Sequence, residues 1–214
     1  MHADWKYLVG IAAALTILCC AARLAGAQTI IDDWSKVQPP PAPTLKPAPV
    51  PAKTTALLVM DLLKQSCTAE RRPRCVASLP KVKSLIDAAK AKGVTVIWTI
   101  FPGPKPTDIW PDVAPPAGTN VIVANSDKFI HSDLEKELKD KGITTVIAVG
   151  TAAHGAVLYT SSEAAMRGFK VVVPVEGMSA ETLYHEQAAA YILTTAPTIS
   201  NNVTLTKLDM INYQ

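Results

Sequence analysis

Three features of the sequence combine residue types and positions that suit acid–base chemistry. Asp61 follows the apolar run of residues 57–60. A carboxyl group at the end of such a run is partly removed from water, which raises its pKa and lets it exchange a proton near neutral pH. Lys128 carries an ammonium group that can hold or polarise a substrate. The third feature is a turn of small residues from Gly150 to Ala156, whose backbone N–H groups precede a helix and suit a substrate oxygen.

Each feature also has an explanation that involves no chemistry. An aspartate after a strand often caps a loop, and a lysine in a loop is usually a surface charge. A turn of small residues often only reverses the chain. Position alone leaves both explanations open for Asp61, favours a surface charge for Lys128, and favours a ligand contact for the turn.

The elements that must position these residues alternate between strand and helix patterns. Short apolar runs typical of buried strands alternate with apolar residues at helical spacing. We therefore predict a doubly wound α/β domain of three layers, with a mostly parallel six-stranded sheet and helices on both faces. The predicted strands cover residues 55–62, 94–101, 120–125, 143–149, 169–175 and 203–208. The predicted helices cover Pro80–Lys92, a segment from the capping box Ser132–Glu135 to Gly142, Ala156–Arg167 and Glu181–Leu193.

The three features all follow predicted strands, at the edge where open parallel sheets bind ligands. Asp61, Lys128 and the turn at Gly150 are therefore expected to lie at one edge of the sheet. The long segment from Pro102 to Gly118 contains six prolines together with Trp110. A segment of this length without periodicity is a candidate wall or lid over a site.

Composition and the N-terminus limit the partners and the compartment. The chain has 214 residues, a net charge of +3 and no block of basic residues, so nucleic acid is not an expected partner. Lys6, the apolar run after it and Ala25-Gly26-Ala27 are typical of a signal peptide over residues 1–27 that is cleaved after Ala27. The alternative is a retained membrane anchor. We expect a periplasmic or secreted protein with no membrane contact after cleavage.

Two further segments shape the exported chain. Cys67 and Cys75 most simply form a disulfide, since a metal site would need further ligands nearby. Between Pro39 and Pro51 seven of thirteen residues are proline, which predicts an extended spacer that forms neither helix nor sheet. The folded domain is expected to cover residues 54–214, after a linker of residues 28–53.

The order of these segments resembles the isochorismatase-like hydrolases, a superfamily that includes cysteine amidohydrolases. The opening strand with its acidic residue is similar to Leu57-Leu58-Val59-Met60-Asp61 here, and the lysine segment is similar to Lys128-Phe129 followed by Asp133-Leu134. The resemblance implies a Rossmann-type sheet with strand order 3-2-1-4-5-6 and association into a homo-oligomer. Other matching segments are Val149-Gly150-Thr151-Ala152, Arg167-Gly168-Phe169, Gly177-Met178-Ser179 and Tyr184-His185-Glu186.

The resemblance also implies roles for individual residues. Cysteine amidohydrolases of this family carry their nucleophile at the position of Ala156, and a methyl group forms no thioester. Isochorismatases carry an Ala-His pair at the place of Ala153 and His154 and protonate their substrate without a thiol. By this resemblance Asp61 is the general acid and Lys128 orients the substrate. The residues expected to line the substrate are Phe101, Trp110, Ala152, His154, Gly155 and Val157.

No metal or other cofactor is expected. The nicotinamidases of the family use histidines after the second strand, where this chain has Asp108 and Asp112 but no histidine. His131, His154 and His185 supply no ligand triad from sequence neighbours. The sequence thus predicts an exported hydrolase that acts on a small molecule without a cysteine nucleophile. The alternative is a non-catalytic protein that kept the fold to bind a small molecule.

Overall fold

The computed structural model describes residues 28–214. The predicted signal peptide, residues 1–27, lies outside the described residues and stays a prediction. The chain divides into two compact units, Met1–Pro41 and Ala42–Gln214. The described part of the first unit holds one short 3-10 helix, Trp34–Lys36. Within residues 28–214, no helix is both long enough and apolar enough to cross a membrane.

A parallel sheet of seven strands forms the centre of the second unit. Numbered in chain order after β1, which is described below, its strands are β2 (Thr55–Met60), β3 (Thr95–Ile100), β4 (Val121–Val123), β5 (Thr145–Thr151), β6 (Lys170–Pro174), β7 (Met178–Ser179) and β8 (Val203–Thr206). Six of the strands follow the spatial order β4-β3-β2-β5-β6-β8, and the short β7 pairs with β5. For the six predicted strands this order is 3-2-1-4-5-6, so the predicted topology is confirmed. The seventh strand has two residues, which is too short to leave a pattern in the sequence.

The central strand β2 is buried along its whole length, as its continuous apolar run predicts. Successive side chains point to opposite faces of a strand. Leu58 and Met60 therefore join the core on one face of the sheet, while Leu57 and Val59 join the core on the other. The end of β2 is thus fixed between two apolar layers.

Four helices cover the two faces. Helix α1 (Pro73–Ala91) packs on one face, where Leu79 and Val82 enter the core with Leu57 and Val59. The other three helices contribute to the core on the opposite face, which confirms a doubly wound α/β architecture. They are α2 (Leu134–Asp140), α3 (Leu158–Met166) and α4 (Leu183–Thr195).

Helix α1 begins at Pro73, and the prediction that it begins at Pro80 was wrong. Pro73 occupies the first turn, where a missing N–H has no cost. Pro80 lies inside the helix and leaves the carbonyl of Val76 without its usual donor. The buried residues Cys75 and Leu79 continue the apolar stripe of the helix, so packing outweighs the local cost of Pro80.

The predicted capping box of α2 was also wrong. The hydroxyl of Ser132 donates to the carbonyl of Lys128 and accepts from the backbone N–H of Leu134. Glu135 instead pairs with Lys139 and with Arg167. Ser132 therefore holds the lysine segment in place rather than closing a reciprocal cap.

Part of the proline-rich segment is a strand, which corrects its prediction as a spacer that forms no sheet. Strand β1 (Ala48–Val50) pairs in parallel with β9 (Ile211–Tyr213) to form a separate two-stranded sheet. Pro47, Pro49 and Pro51 alternate with residues that keep their N–H groups, so the missing donors all fall on one edge of the strand. The folded region therefore begins before Thr54.

Candidate active site

Asp61 and Lys128 form an ion pair at the carboxyl end of β2. The ammonium Nζ of Lys128 donates to Asp61 Oδ1 at 2.8 Å and to the carbonyl of Ala124 at 3.0 Å. Lys128 is completely buried and Asp61 is 6% exposed. The structure thus brings together two side chains that lie far apart in the sequence.

The backbone around each member of the pair explains its position. Asp61 has a φ of 56°, which turns the chain as it leaves β2, and the Ser66 hydroxyl donates to the Asp61 carbonyl at 2.8 Å. Lys128 follows β4, and its backbone N–H donates to the Thr160 hydroxyl of α3 at 3.2 Å. Two strand ends and one helix therefore fix the pair.

Burial sets the protonation of the pair. Loss of water raises the pKa of Asp61 to about 6, against the opposing pull of the Lys128 and Arg72 charges. Loss of water also lowers the pKa of Lys128, although the Asp61 carboxylate opposes this change. A carboxyl group that titrates near neutral pH can both donate and accept a proton.

Gly150 allows β2 and β5 to approach each other immediately before Asp61. A Cβ atom at Gly150 would lie 2.1 Å from the carbonyl oxygen of Met60, and the φ of Gly150 is +144°. Both the space and the backbone conformation therefore require glycine. This close approach aligns the ends of β2 and β5, so Asp61 and the turn after β5 leave the sheet next to each other.

The turn after β5 covers Ala153–Val157 and is kinked at Gly155, whose φ and ψ lie outside the helical region. The N–H groups of Gly155 and Val157 both donate to the carbonyl of Ala152, at 3.0 and 3.3 Å. The backbone N–H groups of two residues that are expected to line the substrate are therefore already used within the turn. Ala156 is 3% exposed and contributes its methyl group to the core.

The long segment from Pro102 to Gly118 is attached to the chain that follows β2. Trp110 donates from its indole Nε1 to the carbonyl of Cys67 at 2.9 Å and from its backbone to the carbonyl of Leu62 at 3.0 Å. Phe101 is half-buried and, like Trp110, packs against the core on the α1 face of the sheet. These contacts favour a fixed wall over a moving lid. The contact of Phe101 and Trp110 with a substrate stays a prediction.

A disulfide joins Cys67 to Cys75, which confirms the predicted pairing. Both cysteines are buried, and Cys75 lies in the first turn of α1. The segment between them presents Arg72, whose guanidinium donates to the Thr151 hydroxyl at 3.3 Å and to Glu181 Oε1 at 2.5 Å. Sequence analysis assigned no role to Arg72, although the run of three arginines within residues 71–74 was a visible signal.

Beside Arg72 lies a second group of titratable side chains that sequence analysis did not bring together. The rings of His154 and His185 stack with centroids 3.9 Å apart, and His185 Nδ1 lies 3.9 Å from Glu181 Oε2. Burial raises the pKa of Glu181, but the hydrogen bond from Arg72 and the charges of Arg72 and Arg71 outweigh it and hold this pKa at about 2. Burial, together with the neighbouring His185 and Arg72, lowers the pKa of His154.

The expectation that the histidines supply no ligand triad relied on sequence neighbours and missed this contact. His154 lies in the turn after β5, and Glu181 and His185 lie around the start of α4. The only signal in the sequence was the matching segment Tyr184-His185-Glu186, to which no role had been given. Tertiary folding, not local spacing, assembles the group.

Comparisons with known proteins agree with this architecture. A family model described as the isochorismatase domain matches residues 55–202. N-carbamoylsarcosine amidase from an Arthrobacter species is 29% identical over 46% of this chain and 48% of that protein. The chain thus spans about half the length of this curated relative.

Solved structures share the fold at low sequence identity. An isochorismatase family protein from Desulfovibrio vulgaris has a TM-score of 0.66 at 17% identity and covers 73% of this chain and 95% of its own. N-carbamoylsarcosine amidase from Thermoplasma acidophilum has a TM-score of 0.62 at 18% identity over 73% and 97%. An isochorismatase from Pseudomonas putida has a TM-score of 0.66 at 16% identity over 86% and 98%.

Proposed function

Because the chain belongs to the isochorismatase family of hydrolases, we propose that it is an exported hydrolase that acts on a small molecule by proton transfer at Asp61. The observation that carries this proposal is the buried pair of Asp61 and Lys128, 2.8 Å apart at the edge of the sheet where ligands bind. Asp61, with a pKa near neutrality, protonates the substrate. Lys128 holds the aspartate in position and stabilises the carboxylate that remains.

The proposed reaction uses no covalent intermediate. By the family resemblance Ala156 takes the position of the nucleophile, and its methyl group cannot attack a carbonyl. Asp61 therefore protonates the substrate, and water adds to the activated carbon and returns a proton to Asp61. The C–N or C–O bond of that carbon then breaks, so the amine or alcohol departs protonated and the carbon keeps the oxygen of water. The substrate is proposed to lie among Phe101, Trp110 and the turn after β5.

The names of the relatives suggest which substrates to test first. Two of them are named N-carbamoylsarcosine amidases. We therefore propose N-carbamoyl derivatives of small amines as the first substrate class, followed by simple amides, imides and enol ethers. A screen of these four classes against the full chain tests the choice.

The decisive experiment measures turnover by the full chain and by two aspartate variants. Asp61→Asn is expected to lower kcat by roughly 10²- to 10⁴-fold, the usual contribution of a general acid. Asp112→Asn, at an exposed position in the long loop, is the matched control and should retain wild-type turnover. Melting temperatures are measured alongside because Asp61 is the partner of a buried lysine. Equal turnover by wild type and a folded Asp61→Asn would overturn the proposal.

A second candidate function is the binding of a small molecule without catalysis. By the family resemblance Ala156 stands at the position of the nucleophile, and both Asp61 and Lys128 are almost closed to solvent. These observations also fit a structural ion pair in a protein that kept only the binding role. The variant Ala156→Cys separates the two functions. Amidase activity in this variant means that the pair is aligned for chemistry, whereas inertness together with ligand binding favours the binding protein.

Export and association are part of the proposal. The disulfide between Cys67 and Cys75 supports an oxidising compartment, since cytosolic proteins rarely keep such bonds. Cell fractionation and the mass of the mature chain test cleavage after Ala27. A homo-oligomer, proposed from the family resemblance, is tested by light scattering of the purified protein.

A further inference from the structure

We propose that His154, Glu181 and His185 bind one divalent transition-metal ion, with Zn²⁺ as the expected ion. Each residue offers one ligand atom, and the three ligand atoms lie within 4.8 Å of one another. Two imidazoles and one carboxylate are a ligand set that binds Zn²⁺ in proteins and leaves a fourth position for water. The three ligands include neither Asp61 nor Lys128, although His154 is also one of the residues expected to line the substrate. Metal binding can therefore be measured without hydrolysis.

Buried polar atoms without hydrogen-bond partners provide independent evidence. Nδ1 of His154, Nδ1 of His185 and Oε2 of Glu181 are all inaccessible to solvent and have no hydrogen-bond partner among residues 28–214. Most buried polar side-chain atoms in proteins have such a partner. Three atoms of this kind in one cluster are all electron-pair donors when the imidazole nitrogens are deprotonated. A cation bound through Nδ1 of each histidine and Oε2 of Glu181 would give each of these atoms a partner.

The surroundings of Glu181 orient it for this role. Arg72 and Arg71 both contact Oε1, at 2.5 and 3.2 Å, which leaves Oε2 facing the histidines. Groups that hold a metal ligand in this way raise the affinity of a site by fixing the ligand in advance. The Thr182 hydroxyl accepts from the backbone N–H of His185 at 3.2 Å and fixes the start of α4. Glu181 and His185 are therefore held on one side of the helix start.

Small side-chain movements complete the geometry. Ligand bonds of about 2.0 to 2.2 Å in a tetrahedron require ligand atoms about 3.4 Å apart. His185 Nδ1 and Glu181 Oε2 are 3.9 Å apart, and all three side chains are partly exposed at the rim, so they have room to rotate. The two arginines add positive charge beside the site. This charge repels every dication equally, so the choice of ion depends on the ligands. The two imidazoles favour Zn²⁺, which binds imidazole strongly, over Mg²⁺ or Ca²⁺, which depend on several oxygen ligands.

The test measures Zn²⁺ binding by the full chain without an affinity tag. The protein is stripped with a chelator, dialysed against Zn²⁺ and analysed for metal, and its affinity is measured by competition with a chromophoric chelator. One ion per chain is expected for the wild type. His154→Ala, His185→Ala and Glu181→Gln should each weaken binding by more than about 10-fold, because loss of a ligand exceeds loss of an outer contact.

His131→Asn is the matched control. His131 is exposed and has a φ of 53°, a conformation that asparagine tolerates, so this variant removes a histidine without strain. It should bind Zn²⁺ as the wild type does. The proposal is overturned if the wild type takes up no stoichiometric Zn²⁺, or if folded His185→Ala binds as tightly as the wild type. Because no substrate is present, failure of the proposed hydrolase activity leaves this result unaffected.

Discussion

The buried pair of Asp61 and Lys128 and the rim cluster of Arg72, Glu181, His154 and His185 are built in different ways. The buried pair lies where strands end, and the register of β2 with its neighbours fixes it. The rim cluster joins the disulfide segment to the turn after β5 and the start of α4. Side chains of the buried pair are 0% and 8% exposed, whereas Glu181 is 25% exposed. The sheet thus determines one site, and a disulfide with its ion pairs determines the other.

The two sites also differ in how much solvation free energy their charged groups lose when the chain folds. Two charges removed from water lose more solvation than a single contact restores, so a buried ion pair is weak evidence for stability. The pair is therefore better explained by a function at the strand ends than by a gain in stability. Glu181 and the two histidines of the rim cluster stay partly exposed and lose less solvation, whereas Arg72 is buried. Substitutions in the buried pair should accordingly change the free energy of unfolding more than substitutions in the rim cluster do.

The largest expected effect comes from Lys128→Met. This change leaves the Asp61 carboxyl buried without its counter-charge, so the free energy of unfolding at mildly alkaline pH should fall by about 3 to 5 kcal/mol. Urea denaturation measures it. Lys83→Met, which removes an exposed partner of Asp87 in α1, is the control and should change stability little. If Lys128→Met lowers the free energy of unfolding by less than about 1 kcal/mol, the buried pair contributes no more to stability than an exposed ion pair does.

The pH dependence of stability is the next largest effect. Burial raises the pKa of Asp61 from 3.8 to about 6, so the folded state binds this proton more tightly than the unfolded state. The resulting stability is fully present below about pH 4 and is lost as pH rises through about 6, a change of about 3 kcal/mol. Unfolding of wild type and Asp61→Asn is compared across this range. The variant should gain stability relative to wild type as pH rises, and a constant difference would contradict the burial of an ionisable Asp61.

The two sites also differ in how far the sequence predicts them. Asp61 follows a run of apolar residues, and the carboxyl ends of parallel strands meet at one edge of the sheet. The pattern and the family resemblance together therefore predicted that Asp61 and Lys128 lie close to each other. Arg72, Glu181 and His185 lie in a loop and at a helix start, where no periodicity marks a contact. The contact between Arg72 and Glu181 depends on the path that the disulfide segment takes across the surface.

The errors in the fold have a related cause. The helix prediction treated Pro80 as a starting residue, but the apolar stripe from Cys75 onward packs well enough to keep a proline inside the helix. The spacer prediction treated Pro49 as a barrier to pairing, but an edge strand with alternate prolines still pairs with β9. Local rules for proline hold on average, and tertiary packing overrides them at particular positions.

Removal of the disulfide should damage the rim cluster and spare the buried pair. Cys67→Ala combined with Cys75→Ala opens a loop of about nine residues, which should lower the free energy of unfolding by about 2 to 3 kcal/mol. Urea denaturation measures the loss, and reduction of the wild type is expected to reproduce it. The pH dependence assigned to Asp61 should persist in the variant. Its disappearance would show that the disulfide segment also holds the buried pair.

The smallest effect separates two adjacent arginines that contact the same carboxylate oxygen. Arg72 has a side chain only 10% exposed and lies 2.5 Å from Glu181 Oε1, whereas Arg71 is 61% exposed and lies 3.2 Å away. Arg72→Gln should lower the free energy of unfolding by about 1.5 to 2 kcal/mol, because a charged hydrogen bond is lost where water cannot replace it. Arg71→Gln should cost less than about 1 kcal/mol, and only at low salt, because counter-ions screen an exposed pair.

Urea denaturation of both variants at low and high salt distinguishes these cases. The loss in Arg72→Gln should persist at high salt, since partly buried charges are screened less than exposed ones. Equal losses in the two variants, or a loss in Arg72→Gln that vanishes with salt, would mean that the rim cluster is an ordinary surface network. In that case the disulfide segment would not be the element that orders Glu181, and the contrast with the buried pair would lie in solvent exposure alone.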